Sequence, residues 1–218
     1  MQTLSEENYL KVIHRLDKHG NKKITLTAIA EALNHNPASV IDMLKKLGEQ
    51  KLVSYKKTEG ANLTPKGRAI AVSIIRKHRL WEVFLLEKLG YEWDQIHDIA
   101  EQLEHTQHPE LADRLDKYLG YPKYDPHGDP IPSASGEMVS MNRIVLEDAI
   151  IGKTYKVVGV KDSGSEFLQY LKKLEIGIGT EIKITEKISF DNSLVIAIGN
   201  GSQSTVSKIF SQNLLVQE

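Results

Sequence analysis

Hydrophobic positions in the first part of the chain recur at helical spacing and then give way to short alternating runs. In "LSEENYLKVIHRLDKHG" (4–20), Tyr9, Val12, Ile13 and Leu16 return at three- and four-residue intervals, which predicts an amphipathic helix. Ser5, Glu7 and Asn8 supply a capped start, and Gly20 is the expected stop. Thr25 opens a shorter helix over 25–34. Asn36 as N-cap and Pro37 at the first helical position begin a third, whose Val40, Met43, Leu44 and Leu47 share a face. "LVSYKKTEGANLTPKG" (52–67) then reads as two short strands around a glycine-containing turn.

Thr64-Pro65 starts one long helix that Gly90 ends, and 92–120 holds two more, broken at His108-Pro109. Phe84, Leu85, Ile96, Ile99, Leu103, Leu111 and Leu115 exceed what a helical hairpin buries alone, so a dimer interface is expected. After a connector (136–150), "TYKVVGVKD", "TEIKITEKIS", "SLVIAIGN" and "NLLVQE" alternate as strands, with "SEFLQYLKKLE" as a helix between the first two. The expected fold is mainly α with α+β elements. A winged helix-turn-helix (1–75) comes first, then a helical segment (76–140), then a small β-barrel (141–218).

Charge sharpens this division. Residues 1–79 carry 15 Lys/Arg against 7 Asp/Glu, 80–139 carry 4 against 13, and 140–218 carry 9 of each. The basic block is the one suited to phosphate contacts. The N-terminal turn of its third helix would offer Asn36, Pro37, Ala38 and Ser39 to phosphates or base edges, with Ile41 and Asp42 one turn along. Lys45, Lys46, Lys56 and Lys57 would contact the DNA backbone. The chain has no cysteine, which excludes disulfides and thiolate chemistry and suits a cytoplasmic protein. No signal peptide or membrane-spanning run is read from the sequence.

"HDIAEQLEH" (97–105) raises the question of chemistry. At 100° per residue, His97, Glu101, Glu104 and His105 fall in a stripe about 100° wide, beside the apolar arc of Ile96, Ile99, Ala100 and Leu103. Two glutamates so close at the edge of a buried face repel each other unless a cation lies between them; the other reading of the stripe is a solvated acidic face with two incidental histidines. Upstream, His78 and Glu82 are one turn apart and share a face.

"RKHRLWEVFL", "HDIAEQLEH" and "DPHGDPIP", following "EALNHNPASV", resemble the DtxR/MntR family of metal-dependent transcriptional repressors along the whole chain. The resemblance implies a homodimer that binds palindromic double-stranded operator DNA when loaded with divalent metal. It also implies two metal subsites, the first from His78, Glu82 and His97, the second from Glu101, Glu104, His105 and Asn8. Glu101 stands where the iron-type branch has cysteine and the manganese-type branch glutamate. Asn8 departs from the usual methionine or aspartate but retains an amide oxygen. Lys11 takes the position of a ligating glutamate in the two-domain manganese branch, whose binuclear geometry is therefore not expected. Asp125 and Asp129 stand where the iron-type branch has neutral residues around a bound anion, which argues against an anion here. His14, His19, His35 and His127 are expected to be surface or structural histidines, and His108 no ligand.

The C-terminal strands resemble the SH3-like, FeoA-type third domain of longer family members. That resemblance points to Glu166, near Ser163 or Asp162, as a further oxygen ligand. A ligand set of nitrogen and carboxylate oxygen suits Mn²⁺, with Fe²⁺ next and Zn²⁺ or Co²⁺ able to bind in vitro. The expected function is thus a non-enzymatic repressor controlling manganese or iron homeostasis, with no membrane partner. The competing readings are a metal-independent, small-molecule-sensing winged-helix regulator and a metallohydrolase, the latter lacking HExxH-type spacing.

Overall fold

The computed structural model describes residues 2–17, 23–199 and 201–218. The expected helix stop at Gly20, and His19, lie outside these residues. The chain packs as two compact units, one from Met1–His78, Glu101–Leu115 and Pro132–Glu137, the other from Arg79–Ala100, Asp116–Ile131 and Met138–Glu218.

The first unit begins with α1 (Leu4–Asp17). Its start is a capping box two residues earlier than expected. Glu6 N donates to Thr3 Oγ1 at 3.3 Å, and Thr3 N donates to Glu6 Oε2 at 2.8 Å, so Thr3 rather than Ser5 is the cap. Next come α2 (Leu26–Leu33), capped by Thr25, and α3 (Pro37–Glu49). Between them Asn34 turns left-handed at φ 52° and donates its N–H to the Ala30 and Glu31 carbonyls, closing α2. The Asn36 side chain accepts from Ala38 N at 2.9 Å and so caps α3, as expected. β1 (Val53–Lys56) and β2 (Gly60–Leu63) pair antiparallel as the wing, and α4 (Pro65–Glu87) follows. Tyr9, Leu10, Ile13, Ile29, Val40, Leu44, Leu47 and Leu52 form the core of the helix-turn-helix.

Into the second unit fall the later part of α4, the start of α5 (Ile96–Leu103) and the end of α6 (Leu111–Tyr118). It also holds one antiparallel sheet, made of β3 (Ile144–Val145), β4 (Thr154–Val160), β5 (Glu181–Lys187), β6 (Leu194–Ile198), β7 (Gln203–Val206) and β8 (Leu214–Gln217). The spatial order is β3-β8-β4-β5-β6-β7, so among the described residues the sheet is open and the expected barrel closure between β3 and β7 is not seen. α7 (Ser165–Lys173) and α8 (Lys208–Asn213) cover its core of Tyr155, Val157, Leu168, Leu171, Ile182, Ile196 and Phe210. β7 and α8 escape a sequence reading for physical reasons. "QSTV" is an edge strand with one apolar residue, and six residues are too few to reveal a helical period. No helix among the described residues is long and apolar enough to cross a membrane.

One close approach fixes α4 against the rest of the first unit. Gly67, buried in the first turn of α4, would place a Cβ 2.1 Å from the Leu52 carbonyl oxygen. Thr64 N donates to that same oxygen at 3.0 Å. Glycine to alanine in a helix ordinarily stabilises by up to about 1 kcal/mol. Here the sign should invert: Gly67→Ala is expected to destabilise by about 2 kcal/mol, as overpacking against backbone does. Urea unfolding of wild type and variant checks this.

Candidate metal centre

In the first unit, α1, the end of α4's first part and the residues at and just beyond the end of α5 bring acids and imidazoles together. Glu104 is wholly withdrawn from solvent, with 0% exposure. Its Oε2 lies 2.6 Å from His78 Nδ1 and 2.6 Å from Lys11 Nζ. Its Oε1 is 2.9 Å from the same ammonium and 3.6 Å from His105 Nε2. Lys11 Nζ also donates to Glu101 Oε1 at 2.5 Å. The other ring nitrogen of His105 faces Glu7 Oε2 at 2.6 Å. On the helix that carries Glu7 and Lys11, the buried Oδ1 of Asn8 has no hydrogen-bond partner among the described residues. Burial pushes the Lys77 ammonium below its ordinary value, while the charges of Glu7 and Glu104 oppose this.

Glu7 is the member of this group that sequence reasoning missed, having been read only as an acid at a helix start. The signal was its spacing: Glu7, Leu10 and His14 lie on one face of α1, and all three are buried. His14 is thus buried, the structural one of the two expected alternatives. His35 is exposed on its turn, with Nδ1 3.0 Å from the Tyr9 hydroxyl, and His108 is exposed.

The second unit holds a donor group of its own. Glu82 on α4 places Oε1 3.1 Å from His97 Nδ1 and 3.4 Å from His127 Nδ1. Glu82, Asp125 and His127 are all buried and each offers one ligand atom, these atoms lying within 4.8 Å of one another. Of the expected trio His78, Glu82 and His97, then, Glu82 is paired with His97, while His78 is paired with Glu104. His127, expected to be a surface or structural histidine, is only 4% exposed, and its Nε2 has no hydrogen-bond partner among the described residues. Glu166 is exposed in the first turn of α7, where the helix dipole favours a carboxylate, and is not among the described donors gathered around Glu82.

Asp125 and His127 sit in a tightly tied loop. Asp125 Oδ1 accepts from His127 N at 2.8 Å and Asp129 N at 2.9 Å. Arg79 reaches Asp125 Oδ2 at 3.3 Å, Asp129 Oδ2 at 3.1 Å and the Pro130 carbonyl at 2.5 Å. The Trp93 ring stacks on His127, centroids 5.9 Å apart and planes 18° inclined, and its Nε1 donates to the Pro126 carbonyl. Burial, reinforced by the Glu82 charge, drives the Asp125 carboxyl up to about 7 against the pull of Arg79. For His127, burial pulls the imidazole down, but hydrogen bonding to Glu82 and the charges of Glu82 and Asp125 outweigh it and leave it raised.

The other expected interface lies on the helix-turn-helix. Asn36, Pro37, Ala38, Ser39, Asp42, Lys45, Lys46, Lys56 and Lys57 are exposed and Ile41 half-buried. Lys46 is also 3.2 Å from the buried Glu6, and Lys56 pairs with Glu59 at 2.9 Å.

A wing and recognition helix sharing a chain with buried nitrogen and oxygen donors define a metal-responsive DNA-binding protein. Comparison with known proteins agrees. Residues 1–61 match the iron dependent repressor N-terminal DNA binding domain, 64–133 the iron dependent repressor metal binding and dimerisation domain, and 144–218 the FeoA domain. The chain is 33% identical over 126 residues to the iron-dependent repressor IdeR of Mycobacterium bovis, a match that spans 58% of this chain and 54% of that repressor. Among solved structures it is similar to a manganese-dependent transcriptional repressor in complex with manganese, at TM-score 0.87 and 32% identity over 97% of this chain and 98% of that one. It is also similar to ScaR with bound Zn²⁺, at TM-score 0.81 and 33% identity over 98% and 99%. The chain belongs to the DtxR/IdeR family of metal-dependent transcriptional repressors, which are regulators and not enzymes.

The Asp125 carboxyl gives a pH test. Its folded value, about 7, lies above the ordinary 3.8, so the folded form holds the proton more tightly. That contribution to stability is full below about pH 4 and is lost as pH rises through about 7; the raised His127 acts in the same direction. In chelator, wild type should lose about 2 kcal/mol relative to Asp125→Asn between pH 5 and pH 7.5. Urea unfolding at the two pH values measures it; parallel changes in both proteins would rule the assignment out.

Proposed function

We propose that this chain is a homodimeric repressor that binds palindromic operator DNA when loaded with divalent metal, Mn²⁺ before Fe²⁺, and so controls metal homeostasis in the cytoplasm. In function it divides into a DNA-binding domain (1–75), a metal-binding and dimerisation domain (76–140) and a FeoA-type domain (141–218). The observation that carries this reading is the wholly buried Glu104, joined by ion pairs to α1, the helix on which the DNA-binding core is built.

Two donor groups are proposed as ligands. His78, Glu101, Glu104, His105 and the amide oxygen of Asn8 form one, and the unpartnered Asn8 oxygen fits a cation better than any internal donor. Glu82, His97, Asp125 and His127 form the other. A bound divalent ion supplies concentrated positive charge for carboxylates that water does not reach. The donors are imidazole nitrogen and hard oxygen without thiolate, which favours Mn²⁺ and Fe²⁺ relative to softer ions; Zn²⁺ and Co²⁺ remain able to bind in vitro. What the chain's own residues do is hold α1. Glu7 and Lys11 on one face of that helix meet His105, Glu101 and Glu104, while Tyr9, Leu10 and Ile13 pack on the helix-turn-helix.

On DNA, the N-terminal turn of α3 with Asn36, Pro37, Ala38 and Ser39 meets the major groove, supported by Ile41 and Asp42. Lys45, Lys46, Lys56 and Lys57 contact phosphates. The exposed Leu89, Tyr91, Tyr118 and Tyr121 of the second unit suit a dimer contact.

Fluorescence anisotropy on DNA from upstream of its own gene, titrated with Mn²⁺, Fe²⁺, Zn²⁺, Co²⁺ or chelator, tests the proposal. Mn²⁺ should tighten binding at least tenfold, which is about 1.4 kcal/mol of coupling. Equal affinity with metal and with chelator would overturn it. A second outcome concerns the lysines: Lys57→Ala should weaken specific and random DNA alike and lower the salt slope by roughly one unit. A changed sequence preference at an unchanged salt slope would remove Lys57 from the phosphate-contacting set.

A further inference from the structure

We infer that Lys11 is a built-in competitor for the metal, an internal cation that sets the ion concentration at which the repressor switches. This rests on the proposed ligand role of Glu101 and Glu104.

Lys11 Nζ lies 2.5 Å from Glu101 Oε1 and 2.6 and 2.9 Å from the two oxygens of Glu104. One ammonium therefore contacts three oxygens of two carboxylates. A divalent ion ligated by those carboxylates binds oxygen at about 2.0–2.2 Å. The point it needs is the point the ammonium holds, and two cations cannot share it. The competition is strong because of where it happens. Glu104 has no water to fall back on, so it needs a positive partner in either state, and the Lys11 side chain is itself only 19% exposed. Lys11 is tethered on α1, so its local concentration does not vary with the medium, whereas the metal's does. The observed dissociation constant is then the intrinsic one multiplied by the factor that favours the ammonium-bound arrangement. When displaced, the lysine has the flexible stem to swing toward solvent.

The charge of Lys11, not merely its bulk, is what this inference requires. Lys11→Gln keeps length and an amide donor but removes the charge, and Lys11→Arg keeps the charge in a planar fork suited to two carboxylates. Mn²⁺ dissociation constants of the full chain are read directly from free-ion titration by electron paramagnetic resonance, without DNA, with circular dichroism to verify folding. Lys11→Gln should bind at least tenfold tighter than wild type, and Lys11→Arg should bind as wild type does or more weakly. Wild-type affinity in Lys11→Gln would overturn the inference while leaving the metal reading intact. If Lys11→Gln fails to fold, Lys11→Arg decides alone, since tighter Mn²⁺ binding in that variant also overturns it. Wild type that takes up no Mn²⁺, or takes it up as well after Glu104→Gln, would instead overturn the ligand assignment, and the role of Lys11 with it.

Discussion

A carboxylate cannot be buried alone, and the first unit is organised around that constraint at Glu104. In an apolar interior an ionised carboxyl either takes up a proton or acquires cationic and hydrogen-bonding partners. Glu104 has partners on every side: His78 from α4, Lys11 from α1 and His105 from its own segment. Each partner belongs to a different stretch of sequence, so satisfying one charge draws three elements together. Removing any partner leaves the charge partly uncompensated in a site water does not reach, a far larger penalty than the loss of a surface ion pair.

The second unit meets a similar constraint with a different device. Glu82, Asp125 and Asp129 bring three carboxylates to one region, and two guanidinium groups hold the loop that carries two of them. Arg79 binds Asp125, Asp129 and the Pro130 carbonyl, while Arg143 donates to Asp129 Oδ1 at 3.0 Å and to the Gly128 carbonyl at 2.7 Å. Gly128 sits at φ +83°, and a Cβ there would come within 2.0 Å of the Val158 carbonyl oxygen, so the loop is pressed onto β4. Arginine suits this work because its fork reaches several acceptors at fixed angles and stays charged. The loop's rigidity keeps Asp125 and His127 turned toward Glu82, and an acid pushed to about 7 is the electrostatic mark of that crowding.

Periodicity carried the helices and most strands. Val40, Met43, Leu44 and Leu47 placed α3, Asn36 and Pro37 placed its start, and His108-Pro109 separated α5 from α6. The 100° rule reads 97–105 as one helical stripe, but α5 ends at Leu103, so only His97 and Glu101 lie on the helix and Glu104 and His105 lie in the turn beyond it. What spacing could not convey was contact between distant segments. Glu7 meets His105 across 98 residues and Lys11 meets Glu104 across 93. Glu7, read locally, looked like an ordinary helix-start acid. The burial of His127 has no periodic signal because it lies in a loop, and it depends on contacts from distant segments such as the Trp93 ring stacked on it. The open sheet edge at β7 was hidden by the opposite problem, a strand too polar to alternate.

α1 has two working faces, and the proposed switch follows from their rigidity. Tyr9, Leu10 and Ile13 are packed into the core shared with α2 and α3, at densities that resist displacement. Glu7 and Lys11 reach the charged residues at and beyond the end of α5. A change of ion at the charged face therefore cannot be absorbed by loosening of the apolar face, and α1 carries it to α3 as a body. The same rigidity limits the coupling. Only the difference in free energy between a site holding Lys11's ammonium and one holding a divalent ion is available to bias the recognition helix. Strong internal competition lowers metal affinity but does not by itself enlarge the response. Threshold and amplitude are thus separable in this fold, the threshold set by the charge at position 11 and the amplitude by how firmly the donors hold α1 once the ion is bound.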